Sequence, residues 1–267
     1  MRQLVVTVPL DEVELASDAL WAMGVVAVEE RAVETTSLVE LWTSLESDVV
    51  PDLAWPCRFE EVDEAVGDTW RLHAAPTWIT DQLVVCPAWA PREFPAGVTR
   101  VLIEPGPTFG MGDHPTTRLT LAAASRLLSP GSSVLDVGCG SGVLAIGCRV
   151  LGASRAVGVD ISPSAVPVTT ANAALNGVDV EVSTMPLAAV EGQFDLVLAN
   201  ILAPALLELA SDLRRVMAPM GRLVVSGLLS SRHEHVVAAL APLAVEHADH
   251  LDGWCALTLR HLECHEP

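Results

Sequence analysis

Apolar and polar residues follow two periods along this 267-residue chain: short apolar runs of strand length, and longer stretches with a helical stripe. Residues 2–8 (R-Q-L-V-V-T-V) predict a strand. Asp11 to Met23 predicts a helix, with Val13, Ala16, Leu20 and Met23 on one face and Gly24 ending it. Residues 25–30 and Leu38 to Trp42 predict two more strands, Ser44 to Pro56 an acidic loop, and Phe59 to Val66 a short helix. Together these predict a small α+β domain over residues 1–66. Residues 67–99 predict a connecting segment, rich in Trp and Pro, with one strand at Leu83 to Cys86. Its tryptophans, Trp70, Trp78 and Trp89, are expected to pack against a neighbouring domain.

From Arg100 onward strands and helices alternate. Val101 to Ile103 is extended, and a loop crowded with Gly and Pro runs from Glu104 to Thr117. Its end opens a helix, Pro115 to Leu128, with Pro in the first turn, where its missing N–H costs nothing. Val134 to Val137 is a buried strand, turning at Gly138, Gly140 and Gly142 into a helix from Val143 to Leu151. Ala156 to Val159, Val178 to Val182, Phe194 to Ala199 and Arg222 to Ser226 are the next strands. Helices lie between them: Ser162 to Asn176, with Pro167 expected to distort its first turns, and Pro204 to Met217. A helix near Ser230 to Leu240 follows. The runs Leu243 to His247 and Trp254 to Leu259 flank Asp252-Gly253, a hairpin signal. The consequence is a doubly wound α/β domain over residues 100–267, ending in an antiparallel hairpin.

Strand, glycine turn and helix make the nucleotide-binding unit of such sheets. The turn reads in two registers. Gly140, Gly142 and Ala145 fit the dinucleotide pattern. Gly138, Gly140 and Gly142, preceded by Asp136, suit S-adenosylmethionine, whose ammonium would sit near that carboxylate. Ligands of open α/β sheets bind outside the carboxyl ends of the strands, where Asp136, Asp160 and Asn200 stand. Asp160 can accept hydrogen bonds from both ribose hydroxyls of any adenosine ligand, or cap the next helix. Asn200 can position a donor methyl or hold an incoming amine.

Composition narrows the partners. The chain is 51% hydrophobic, with no apolar run long enough to span a bilayer and no signal peptide, so a cytoplasmic protein is expected. Its net charge is −19 and it contains no Lys. Such a surface repels nucleic acid and attracts a basic protein partner, or serves only solubility. The six cysteines form no C-x-x-C pair, so no metal site is expected, and Cys139 is a small residue that fits the turn.

The run F-G-M-G-D-H-P-T-T (Phe109 to Thr117), followed by D-V-G-C-G-S-G, G-V-D and A-N-I-L, resembles the PrmA family, methyltransferases of ribosomal protein L11. The likeness continues through V-S-G-L (Val225 to Leu228), Trp254-Cys255 and, upstream, Cys86-Pro87-Ala88-Trp89. It implies a Rossmann-like methyltransferase sheet with S-adenosylmethionine as cofactor. It also implies transfer of methyl groups to lysine or N-terminal amines of a basic ribosomal protein, with no nucleic acid, membrane or metal partner. By this resemblance Phe109, Gly110, Thr117, Asp136, Gly138, Gly140, Asp160, Ile161 and Asn200 contact the donor, and Asn200 is the active-site amide. His114 either fixes the loop or meets the substrate. Met111 departs from the family's F-G-T-G, and the first domain is shorter. A methyltransferase of another substrate, an NAD-dependent oxidoreductase and a binding-only protein are the competing readings.

Overall fold

The structure, a computed structural model, describes residues 2–23, 25, 28–33, 37–43, 51–61, 75–89, 93–104, 110 and 112–262. The chain divides into two compact units, Met1–Ala74 and Ala75–Pro267.

In the first unit, β1 (Arg2–Pro9), β2 (Glu29–Ala32), β3 (Leu38–Thr43) and β4 (Cys57–Glu61) form an antiparallel sheet in the order β2-β3-β1-β4. Alternation puts Leu4, Val6 and Val8 of β1 on one face, where they meet Val13, Ala16 and Leu20 of α1 (Val13–Ala22). A 3-10 turn, Leu10–Glu12, precedes α1. Two expectations are corrected. The second strand begins at Glu29, later than expected. The helix expected from Phe59 to Val66 is, as far as Glu61, the edge strand β4. Leu4 pairs with Phe59, whose ring packs on the core, while Arg58 on the other face bonds Glu40 and Glu60 at 2.8 and 2.7 Å. Strand pairing thus overrides a weak helical pattern. Residues 62–66 lie outside the described residues.

The second unit begins inside the segment expected to connect domains. Over 77–87 that segment is not a linker: β5 (Thr77–Thr80), β6 (Leu83–Pro87) and β7 (Thr99–Ile103) form a three-stranded sheet with β7 at its edge. Leu83, Val85, Val101 and Ile103 are buried because they face α2 (Pro115–Leu127) and α3 (Val143–Val150). In the same segment, the ring of Trp78 meets Phe94 edge-on.

The central sheet has seven strands: β8 (Ser133–Val137), β9 (Arg155–Val159), β10 (Glu181–Ser183), β11 (Phe194–Asn200), β12 (Met217–Leu229), β13 (Ala244–Leu251) and β14 (Trp254–Arg260). Their order is β10-β9-β8-β11-β12-β14-β13, with β14 antiparallel to both neighbours and the other pairs parallel. Leu196 and Leu198 point to one face, with α2 and α3; Val197 and Ala199 point to the other, with α5 (Ala203–Glu208), α6 (Ala210–Arg215) and α7 (Glu234–Ala239). The sheet is therefore doubly wound as expected, and the β8-to-β11 junction is a point where the strand order reverses.

Local boundaries shift for identifiable reasons. α4 (Ala165–Leu175) starts so that Pro167 falls in its first turn, whose N–H groups have no helical acceptor; the expected distortion is not seen. The strand expected from Val178 starts at Glu181, because Val178 N–H bonds Ala173 O and Gly177 N–H bonds Ala174 O, which closes the helix end. The helix expected from Pro204 to Met217 is two short ones meeting at Leu209, with Leu206, Ala210 and Leu213 keeping one buried stripe across the junction. The helix expected near Ser230 begins at Glu234.

Candidate functional site

The carboxyl edge of the central sheet brings most of the expected residues together. Chain direction reverses at Gly138, at the end of β8, where φ is +76°. Gly138 N–H bonds Val159 O at 2.8 Å, anchoring the turn to the end of β9. A Cβ on Gly138 would collide with Cγ2 of Ile201, the residue after Asn200. Gly227 does the same on the other side: with φ at +83°, its missing Cβ leaves room for the Ile201 carbonyl, at 2.4 Å from where that carbon would stand. Gly227 lies where β12 and β14 slip register, so the irregularity seats Ile201 between two glycines. Asn200 is thereby placed by its neighbour.

Asp160 follows β9. Its Oδ2 accepts from Gly140 N–H at 2.8 Å and its Oδ1 from Ser162 N–H at 2.9 Å. The carboxylate is half-buried and braces both the glycine turn and the start of the next segment. Each oxygen keeps a second lone pair. Ile161 beside it is 97% exposed, an apolar side chain at the carboxyl edge of the sheet.

Asp136 lies beneath the turn and is fully buried. Its Oδ2 accepts from Ala145 N–H at 3.1 Å in the first turns of α3, whereas Oδ1 makes no hydrogen bond within the protein. Burial pushes its carboxyl up to about 7; the Ala145 N–H opposes this and the Asp160 charge adds to it. An orphaned carboxylate oxygen in such a place suits a cation or a polar hydrogen arriving from a ligand.

The helix α2 supplies the other wall. His114 is its N-cap: Nδ1 accepts from Thr116 N–H at 3.3 Å and lies 2.7 Å from Thr116 Oγ1. Burial lowers its pKa, partly offset by the Asp113 charge, so the ring is neutral at pH 7. The ring stands edge-on to Trp254 of β14, with centroids 5.1 Å apart. Thr117, buried in the first turn, accepts at Oγ1 from Asn200 Nδ2 at 3.4 Å. That contact turns the amide's carbonyl oxygen away from Thr117, available to another partner.

Thr117, Asp136, Gly138, Gly140, Asp160 and Asn200 therefore stand around one edge, with Thr117 bonded to Asn200 and Gly140 to Asp160, and Gly110 reaches it through Ser141 Oγ, which donates to Gly110 O at 2.6 Å. Phe109 and Met111 lie outside the described residues. Sequence reasoning missed Ser141 and Asn172, which tie this edge together, and Asn176, which holds Leu102 of β7. The one available signal was a pair of asparagines four apart, one on an alanine-rich helix and one at its C-terminal cap. It also missed Ser226, whose Oγ donates to Cys255 O at 2.8 Å and joins the V-S-G-L segment to the last strand. Among the described residues no group of three or more His, Cys, Asp or Glu could hold a metal ion. A cleft of about 490 Å³ elsewhere, lined by Arg126, Asp195, Arg222 and Glu246, contains none of these residues, and Arg222 and Glu246 pair with each other across it.

Comparison with known proteins places these features in a family. The family model described as ribosomal protein L11 methyltransferase (PrmA) matches residues 9–261. A relative from Geobacter metallireducens, named ribosomal protein L11 methyltransferase, is 43% identical over 210 residues, covering 79% of this chain and 69% of the relative. One of the same name from Symbiobacterium thermophilum is 40% identical over 209 residues, covering 76% and 68%. A crystal structure of a ribosomal protein L11 methylase from Lactobacillus delbrueckii subsp. bulgaricus superposes with a TM-score of 0.66 at 31% identity. It covers 71% of this chain and all of that one.

Proposed function

Because this chain belongs to the ribosomal protein L11 methyltransferase family, we propose that it transfers methyl groups from S-adenosylmethionine to amines of ribosomal protein L11. The amines are those of lysine side chains, the N-terminus, or both. The observation that carries the reading is the packing of Ile201 against Gly138, which sets Asn200 beside the glycine turn.

The donor brings a methyl group already activated by its sulfonium, so the protein's task is placement. Asp160 holds the ribose hydroxyls with the lone pairs that Gly140 and Ser162 leave free. Asp136 Oδ1 answers the ammonium of the donor's amino-acid part. Gly110, Gly138 and Gly140 present backbone, Ile161 covers the base, and Thr117 orients the Asn200 amide. Phe109 belongs to the same donor-facing loop. Asn200 Oδ1 then accepts a hydrogen bond from the incoming amine and aims its lone pair. A free lysine has a pKa of about 10.4, so the amine must shed a proton before attack, which desolvation favours.

The small N-terminal unit is the proposed grip on the protein substrate. A net charge of −19 speeds encounter with a basic protein and disfavours nucleic acid as a direct partner. No described helix is long and apolar enough to cross a membrane, and the proposed place of action is the cytoplasm, where ribosomal proteins are made.

Calorimetry tests the donor. S-adenosylmethionine and its demethylated product should bind and NAD should not. Binding of NAD in place of S-adenosylmethionine would return the glycine turn to its dinucleotide register and overturn the proposal.

A further inference from the structure

A buried chain of polar contacts joins three segments around the donor edge. Asn172 on α4 is fully buried. Its Nδ2 donates to Glu104 O at 3.0 Å and to Ser141 O at 2.9 Å, and its Oδ1 accepts from Glu104 N–H at 2.8 Å. Ser141, also fully buried, sits inside the glycine turn and passes the connection on through its Oγ bond to Gly110 O. One side chain thus touches the residue that leaves β7 and the turn that follows β8. A second side chain fixes the far part of the same loop.

Asn176, one helical turn further on, makes a similar pair of bonds with a different reach. Its Oδ1 accepts from Leu102 N–H at 2.8 Å, and its Nδ2 donates to Leu102 O at 2.7 Å. The two amides act as substitute peptide groups along the open edge of β7, satisfying the N–H and C=O of Leu102 and Glu104. Only Asn172 continues into the glycine turn. Asn176 also donates from Nδ2 to Asn172 O at 2.7 Å, a bond that stays within the helix end, and it makes no bond to the glycine turn itself, so it serves as an internal control of the same residue type beside the same strand.

We propose that Asn172 and Ser141 are positioning residues for methyl transfer, holding the backbone at Glu104 and Gly110 in register with the Gly138–Gly142 turn. This rests on the methyltransferase reading above. Removing either partner strands a buried carbonyl, at Ser141 or Gly110, and a stranded buried acceptor is relieved by backbone movement. Movement there displaces the N–H groups offered to the donor. The rest of the turn is already fixed: Gly140 N–H bonds Asp160, and Gly140 O accepts from Thr169 Oγ1 at 3.0 Å. Displacement is thus forced onto the side that Asn172 and Ser141 hold.

The test uses the full chain with Asn172→Asp, Ser141→Ala and Asn176→Ala, reading three quantities. These are the Kd for S-adenosylhomocysteine by calorimetry, KM and kcat for methyl transfer, and Tm. Asn172→Asp keeps the acceptor for Glu104 N–H and removes both donated bonds. Asn172→Asp and Ser141→Ala should each raise the Kd and the donor KM roughly five- to tenfold, with kcat at saturating donor within about twofold of the parent. Asn176→Ala should lower Tm and leave the Kd unchanged. Lower Tm with unchanged Kd in the first two variants would overturn the proposal, as would an equal rise of Kd in Asn176→Ala. Should Asn172→Asp fail to fold, Ser141→Ala decides alone. If the unaltered chain binds no S-adenosylhomocysteine, the functional reading falls and this inference with it.

Discussion

Ile201 fills the space that a Cβ on Gly138 would need. The first glycine of the turn is therefore required by the protein's own packing as well as by any ligand. It couples the strand that ends in Asn200 to the strand that ends in the glycine turn. Ile201, with its side chain against Gly138 and its carbonyl against Gly227, thus ties the turn proposed to bind the donor to the amide proposed to hold the amine.

Gly138→Ala should for that reason act at two places at once. The left-handed backbone alone costs about 1–2 kcal/mol for a residue with a side chain. The clash with Ile201 adds to it and pushes Asn200 off its position. Denaturant unfolding should show the loss of stability, and calorimetry a loss of donor binding. Unchanged stability would mean that Ile201 has room to move away.

Asn200→Ala removes the amide while leaving Ile201 seated. Donor affinity should stay within about fivefold and kcat should fall by roughly 100-fold, the scale of a misplaced reacting group. Thr117→Val, which keeps the shape but loses the acceptor for Asn200 Nδ2, should lower kcat by about tenfold. Full turnover in Asn200→Ala, measured on a basic substrate protein, would remove the amide from the mechanism.

Asp136 makes stability depend on pH. Its folded pKa, about 7, lies above the usual aspartate value of 3.8. A raised carboxyl contributes stability below the lower value, and that contribution is lost as pH rises through the higher one. Asp136→Asn cannot titrate. Between pH 5 and pH 8 its stability relative to the parent should therefore improve by about 2.5 kcal/mol. Chemical denaturation at the two pH values measures this; parallel curves would mean Asp136 keeps one charge state throughout.

His114 has the opposite sign. Burial depresses its folded pKa below 6.5. The unfolded chain takes the proton first, so the contribution is whole above pH 6.5 and is lost as pH falls through the folded value. His114→Asn retains a side chain able to cap Thr116 N–H but does not titrate. Its Tm should fall less than the parent's between pH 7.5 and pH 5.5; an equal fall would assign the acid sensitivity to another group.

Much of this architecture is legible in the residue pattern, for physical reasons. The inner strands are buried on both faces, so they read as continuous apolar runs broken by glycine. The last hairpin is announced by Asp252-Gly253, and both residues have the positive φ that this turn demands, +49° and +83°. What stays hidden depends on partners distant in sequence. Cys57–Glu61 becomes a strand only because β1 offers an edge. The segment over 77–87 becomes part of the second unit only through β7. Ser141, Asn172 and Asn176 carry no motif; their importance comes from backbone groups of Leu102, Glu104 and Gly110 that only the fold brings near. The turn, Asp160 and Asn200 could be picked out because special backbone or strand-end placement marks them.

The most direct measurement is the mass of purified ribosomal protein L11 after incubation with this protein and S-adenosylmethionine. The account predicts mass gains of whole methyl groups on amines, nearly abolished when Asn200→Ala replaces the parent. An unmodified L11, in the presence of an enzyme that demonstrably binds the donor, would contradict it.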